Sequence, residues 1–159
     1  MLYLDANIFI VYLTNTPSHQ GSQAHAFFRE LAVGAVVAKT TEGVLVEVTQ
    51  VLVSKKGLAY PRTLISQELK KFLEFRGLRL DNLDVHLRAL YRFGATNLDY
   101  VECILIECAD GPEDAIVSFD RDYDRALPGI RVEPGATFQQ TVRSEEPDPA
   151  DHQENEGPA

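Results

Sequence analysis

The chain has 159 residues and a net charge of −9, and its length suits one domain. Its hydrophobic content of 45% allows a sizeable core, and it has no apolar run of the roughly 18 residues that a membrane span needs. The negative charge argues against indiscriminate nucleic-acid binding. Asp5 stands where a signal peptide would carry basic residues, so we expect a cytoplasmic protein with no membrane association.

The charge is unevenly distributed. Residues 143–159 hold six acidic side chains and one basic side chain, with no aromatic or β-branched residue. That composition predicts disorder from about residue 143. We therefore expect one domain over 1–133 and an acidic extension over 134–159. By contrast, the stretch 55–79 carries seven basic and two acidic side chains.

Short apolar runs alternate with helical patterns along the chain. The apolar runs predict strands at 1–4, 35–38, 78–80, 115–119 and 130–132. Helical spacing of apolar residues predicts helices beyond Asn7 and over 24–32, 42–56, 62–75, 83–93 and 99–109, most of them ended by glycine. The alternation predicts an α/β domain with a mainly parallel central sheet flanked by helices.

Two acids follow predicted strands directly. Asp5 comes after the first apolar run, and Asp120 comes after the apolar run 115–119. Ligands of parallel sheets bind at the carboxyl ends of the strands. We therefore expect both carboxylates at the functional edge of the sheet.

Two further acids interrupt apolar helical stripes. Glu47 shares a helix face with Val44 and Val51, and Glu102 shares one with Ile106. An ionised carboxylate facing the core is costly unless it is paired or binds a metal.

No cluster of buried bases is predicted to pair with these four acids. A divalent cation would relieve their repulsion, and Mg²⁺ prefers oxygen ligands. The sequence thus predicts a Mg²⁺ site with Asp5, Glu47, Glu102 and Asp120 as its acids, at which a metal-bound water attacks a phosphate group.

Each acid also has a plain structural interpretation. Asp5 could cap the following helix together with Asn7, and Glu47 could extend to the margin of the core or pair with a lysine. Asp99 and Glu102 have the spacing of a capping box. Asp120, Asp122 and Asp124 could be turn residues.

Four segments in order carry a resemblance to a known family: LDANIFIVYL, VEVTQVL, LDYVECILIECA and AIVSFDRDYDRALPGIRV. Over roughly residues 1–133 the chain resembles a PIN domain, and it is similar to the VapC-type ribonuclease toxins of bacterial toxin–antitoxin pairs. The resemblance implies a parallel sheet flanked by helices and cleavage of RNA that depends on Mg²⁺ or Mn²⁺.

By position, the resemblance assigns Asp5, Glu47 and Asp120 to family acids. Asn7 and Ser118 match small polar groups that help to arrange the site, and Asp122 is a further supporting acid. The chain departs from the family at Glu102, where an aspartate is usual. Asp99 is the alternative ligand there.

The resemblance also implies an antitoxin partner and a homodimer. We expect the basic stretch 55–79 to steer the RNA backbone, although it could equally be the solvated faces of two helices.

Two other functions remain open. One is a catalytically impaired PIN-like domain that binds RNA or protein. The other is a haloacid-dehalogenase-like phosphatase. Such enzymes normally have a second aspartate at the position of Asn7, so this residue argues against that function.

Overall fold

The computed structural model describes residues 1–15, 17–55, 57–112 and 114–133. In these residues five two-residue strands alternate with seven helices, and the architecture is mixed α/β. The strands are β1 (Leu2–Tyr3), β2 (Ala38–Lys39), β3 (Leu78–Arg79), β4 (Ile116–Val117) and β5 (Arg131–Val132). The helices are α1 (Ala6–Leu13), α2 (His19–Val33), α3 (Glu42–Val53), α4 (Arg62–Leu73), α5 (Leu83–Ala95), α6 (Tyr100–Cys108) and α7 (Asp122–Ala126).

Every strand pair in the described residues is parallel. β1, β2 and β3 form one sheet in that order, with Ala38 opposite Leu2 on one side and Leu78 on the other. β4 and β5 form a second sheet, in which Ile116 lies opposite Arg131. Parallel neighbours need a crossover, and helices supply it for the first three strands. The prediction of parallel pairing is therefore confirmed, but the strands divide between two small sheets.

The core lies between the helices and the larger sheet. Its aromatic centre joins three helices: the rings of Phe9 in α1 and Phe28 in α2 are 5.4 Å apart, and Phe72 in α4 lies 5.5 Å from Phe9. All three side chains are buried. Aromatic pairs in this distance range add to the stabilisation from burial alone, so this cluster fixes α1 and α2 against α4.

Local sequence signals account for several helix ends. Ser18 begins α2 and accepts a hydrogen bond from the Gly21 N–H at 3.0 Å. The helix ends at Gly34, whose φ of 80° is the left-handed conformation that glycine adopts easily. The predicted end of α3 near residue 56 was too late, since the helix ends at Val53.

Gly94 was predicted to end α5, and this prediction was wrong because the helix continues to Ala95. A Cβ at position 94 would lie 2.9 Å from the Cβ of Ser66 in α4. Glycine therefore allows α4 and α5 to approach each other closely. The Ser66 hydroxyl also donates a 2.6 Å hydrogen bond to the Leu90 carbonyl oxygen across the same contact.

The domain division at 133 stays a prediction, because the extension 134–159 lies outside the described residues. Within the described part of the chain, no helix is both long and apolar enough to cross a membrane.

Candidate functional site

Asp5 lies between β1 and α1, as predicted. It occupies the N-cap position of α1 with extended backbone, but its side chain makes no capping hydrogen bond. The carboxylate is exposed. The Asp5 side chain therefore does not cap the helix. Its carboxylate is exposed to solvent and makes no hydrogen bond to the start of α1.

Asp120 follows β4 in a turn that its own side chain closes. Its Oδ1 accepts a hydrogen bond from the Asp122 N–H at 2.8 Å. The Ser118 hydroxyl oxygen accepts one from the Asp120 N–H at 3.0 Å. Asp120 is thus a turn residue, and Ser118 fixes its backbone. The Asp122 carboxylate is paired with Arg125 at 2.6 Å.

Glu102 is half-buried in the first turn of α6. Its Oε2 accepts a hydrogen bond from the Asp99 N–H at 2.6 Å. The capping interpretation of this spacing is therefore confirmed: one carboxylate oxygen satisfies the start of α6.

Burial raises the pKa of Glu102, and the carboxylates of Asp99, Asp120 and Asp122 raise it further. The hydrogen bond from the Asp99 N–H acts in the opposite direction. Burial likewise raises the pKa of Tyr123, with Glu102 and Asp120 adding to the effect. The acids at the start of α6 and around α7 therefore lie within electrostatic reach of one another.

Glu47 does not face the core, contrary to the prediction. The buried face of α3 consists of Leu45, Val48, Thr49 and Leu52. Glu47 is exposed, and so is Val51, the residue one turn beyond it. The buried face of α3 is therefore shifted by one residue from the face predicted to contain Glu47. Because Glu47 is solvated, its charge has no free-energy cost of burial.

The four predicted acids are not joined in one preformed site. Among the described residues there is no group of three or more histidine, cysteine, aspartate or glutamate side chains placed to hold a metal ion. Asp5 and Asp120 follow strands of different sheets. The structure brings Glu102 and Asp120 into one electrostatic cluster with Asp99 and Asp122. It shows no such link to Asp5 or Glu47, and a four-acid metal site stays a prediction.

The chemistry of this cluster fits a hard divalent cation. Its donors are carboxylate oxygens, which Mg²⁺ and Mn²⁺ prefer. Burial and, to a smaller extent, their repulsion raise the pKa of Glu102, and a bound cation would lower the free energy of the ionised form. Glu102 and Asp120 are the predicted ligands that lie in this cluster, and a complete ion site here stays a prediction because the described residues contain no group of three such side chains placed to hold an ion.

Arg62 is the basic residue that acts electrostatically on Glu102 and Asp99. Its Nε donates to the Phe93 carbonyl oxygen at 3.0 Å, a terminal nitrogen donates to the Leu98 carbonyl oxygen, and the guanidinium stacks on the Phe93 ring at 3.9 Å. Burial lowers its pKa. Arg62 therefore ties α4 to the segment before α6, and it is not a free surface charge of the stretch 55–79.

The other bases of the stretch 55–79 are dispersed. Lys71 pairs with Glu68 at 2.6 Å, and Arg79 donates to the Arg76 carbonyl oxygen. Lys70 lines a cavity of about 490 Å³ together with Arg88 and Arg92 of α5. Sequence reasoning missed the contribution of α5, because only the packing of α4 on α5 brings these three side chains together.

A second cavity, of about 480 Å³, lies between α1 and α2 and has Asp5 in its wall. Asn7, a predicted supporting residue, lines it as well. Gln20 and Gln23 line the opposite wall, and sequence reasoning missed both. The helix was predicted to begin at residue 24, whereas α2 begins at His19, so these two glutamines were not placed on a helix face.

Comparison with known proteins gives no assignment. No protein-family model matches this chain, and no curated protein matches it.

Proposed function

We propose that this chain is a metal-dependent endoribonuclease with a PIN-like fold, acting in the cytoplasm as the toxin of a toxin–antitoxin pair. The observation that carries the proposal is the carboxylate cluster beside α6, in which Glu102 has a raised pKa next to Asp120 and Asp122. A carboxylate whose pKa is shifted by burial and by neighbouring charges is a candidate for a functional site. Support also comes from the order of the four PIN-like motifs and from the parallel strands.

In this proposal Asp5, Glu102 and Asp120 hold Mg²⁺ or Mn²⁺, and Glu47 assists as the fourth acid. When bound, the ion supplies Lewis acidity toward a phosphate oxygen and lowers the pKa of a water molecule. Ser118 holds the Asp120 backbone in its turn, so the carboxylate is pre-oriented. Lys70 attracts the phosphate backbone, beside Arg88 and Arg92, which are paired with Glu107.

The proposed partners follow from the same chemistry. An antitoxin that inserts an arginine among these carboxylates would form charge-assisted hydrogen bonds and block the site. A homodimer is proposed on the resemblance to VapC-type toxins.

The test is cleavage of a fluorescently labelled single-stranded RNA by the purified full-length chain with Mg²⁺, with Mn²⁺ and with EDTA. Cleavage should require a metal and fall at least a hundredfold in Asp5→Asn and Asp120→Asn. The matched control is Asp84→Asn, an exposed aspartate in the first turn of α5, which should cleave normally. Unchanged cleavage by the two site variants would refute the assignment.

Two observations favour a second function, a catalytically impaired PIN-like binding domain. An oxygen of Glu102 is engaged by the Asp99 N–H, and the described residues contain no preformed three-ligand group. This alternative predicts RNA binding that does not depend on metal and yields no products in the same assay.

A further inference from the structure

The cavity between α1 and α2 combines polar walls with an apolar floor. α1 contributes Asn7 and Val11, which are one turn apart, and α2 contributes Gln20, Gln23 and Phe27. The α2 residues share one face because their spacing is three and four. The cavity volume of about 480 Å³ lies in the range of roughly 300–1,000 Å³ of small-molecule sites.

The polar groups of this cavity are available to a ligand. Asn7, Gln20 and Gln23 are exposed, and their carboxamides make no hydrogen bond to other described residues. Each carboxamide presents donors beside an acceptor. The floor is apolar: Ala24 is buried, and the Phe27 ring is partly buried against the core.

These properties select among ligand classes. In the described part of the chain the cavity wall contains no lysine or arginine, so it offers no cationic side chain that would hold a phosphate group. A flat heteroaromatic ring with donors and acceptors on its edge matches both the apolar floor and the carboxamides. Unstacked RNA bases are bound in this way, by ring contact and by hydrogen bonds to the base edge.

We propose that this cavity holds one unstacked nucleobase of the RNA, with the carboxamides of Asn7, Gln20 and Gln23 bonded to its edge. The proposal rests on the proposed function, since it takes RNA as the substrate. The new element is that the cavity lined by Asp5 also binds a base. Base recognition and the candidate acid would then share one surface.

The first test is an NMR titration of the full-length protein in EDTA, which prevents metal-dependent cleavage. The probes are the four ribonucleoside 5′-monophosphates, with ribose 5-phosphate as the control without a base. At least one nucleotide should shift the side-chain amide resonances of Gln20 and Gln23, and ribose 5-phosphate should not. No shift with any nucleotide, or an equal shift with ribose 5-phosphate, overturns the proposal.

The second test measures the anisotropy of labelled RNA hexanucleotides in EDTA. The double variant Gln20→Met/Gln23→Met removes two carboxamides but keeps side-chain length and helix propensity. We expect about tenfold weaker binding, because the hydrogen bonds of two carboxamides to the base edge are lost. Gln67→Met, on an exposed position of α4, is the matched control and should bind normally.

The outcomes separate this proposal from the proposed function. Base recognition is overturned if the unmodified chain does not bind the hexanucleotides, or if the double variant binds them equally well. A protein partner would then be the remaining candidate ligand of this cavity. Cleavage of RNA without nucleotide binding in this cavity refutes the base site alone. Nucleotide binding without cleavage refutes the ribonuclease alone.

Discussion

The Glu102 carboxylate accepts a hydrogen bond of 2.6 Å from the backbone N–H of Asp99. The same carboxylate belongs to the acidic cluster with Asp120 and Asp122. One side chain therefore serves the start of α6 and the candidate site, and substitutions can separate the two roles.

Glu102→Gln keeps an oxygen for the Asp99 N–H but removes the negative charge. We expect the free energy of unfolding to change by less than about 0.5 kcal/mol, while RNA cleavage falls at least tenfold. Glu102→Ala should lose about 1 kcal/mol of stability as well, because the cap bond is lost. Urea denaturation and the cleavage assay measure the two quantities. Cleavage by Glu102→Gln at the normal rate would make Glu102 a cap alone.

We expect Arg62 to contribute to the free energy of unfolding of the domain. In Arg62→Met the two hydrogen bonds to the Phe93 and Leu98 carbonyl oxygens and the contact with the Phe93 ring are lost. Hydrogen bonds to charged groups contribute about 1.5–3 kcal/mol each, so unfolding should become easier by about 2–4 kcal/mol in urea. Lys71→Met is the control, since its exposed ion pair with Glu68 is worth about 0–1 kcal/mol. Equal stability of the two variants would contradict the role of Arg62.

Gly77 is required by a close backbone approach. A Cβ there would lie 2.0 Å from the Val36 carbonyl oxygen and 2.7 Å from that of Leu31. Because backbone must move, Gly77→Ala should lower stability by about 3 kcal/mol or more. At Gly43, in the first turn of α3, the added Cβ would meet only the Thr41 hydroxyl, at 3.9 Å. Gly43→Ala should therefore leave the melting temperature unchanged or raise it. A stable Gly77→Ala protein would refute the local geometry.

His86 gives the fold a pH dependence. Its side chain is 2% exposed, its Nδ1 lies 2.9 Å from the Tyr100 hydroxyl, and its Nε2 lies 3.9 Å from a Glu42 oxygen. Burial lowers the pKa of His86 below its ordinary 6.5, and Glu42 opposes this effect.

Below pH 6.5 the unfolded chain therefore takes up this proton before the folded chain does. Stability should fall as the pH drops from 6.5 toward the folded pKa, and it should show no further loss from His86 below that value. His86→Gln does not titrate in this range and should lose less stability between pH 7 and pH 5. Thermal unfolding at a series of pH values checks this. Identical pH profiles would show that His86 contributes nothing to the slope.

The sequence by itself determined the features that depend on near neighbours. The cap at Ser18, the left-handed end at Gly34 and the pairing of Asp99 with Glu102 each involve residues within four positions of one another. Short apolar runs separated by helices also predicted parallel strand pairing, because adjacent parallel strands need a long crossover.

Only the tertiary structure decided which distant groups meet. The exposure of Glu47 depends on which face of α3 packs on the core, and the strands before Asp5 and Asp120 belong to different sheets. Arg62 reaches carbonyl oxygens 31 and 36 positions away. Gln20 and Gln23 line a cavity with Asp5 because α2 packs on α1. A shift of the buried helix face by one residue, or a different pairing of one strand, would change these contacts. Neither change would alter the local pattern of residues in the sequence.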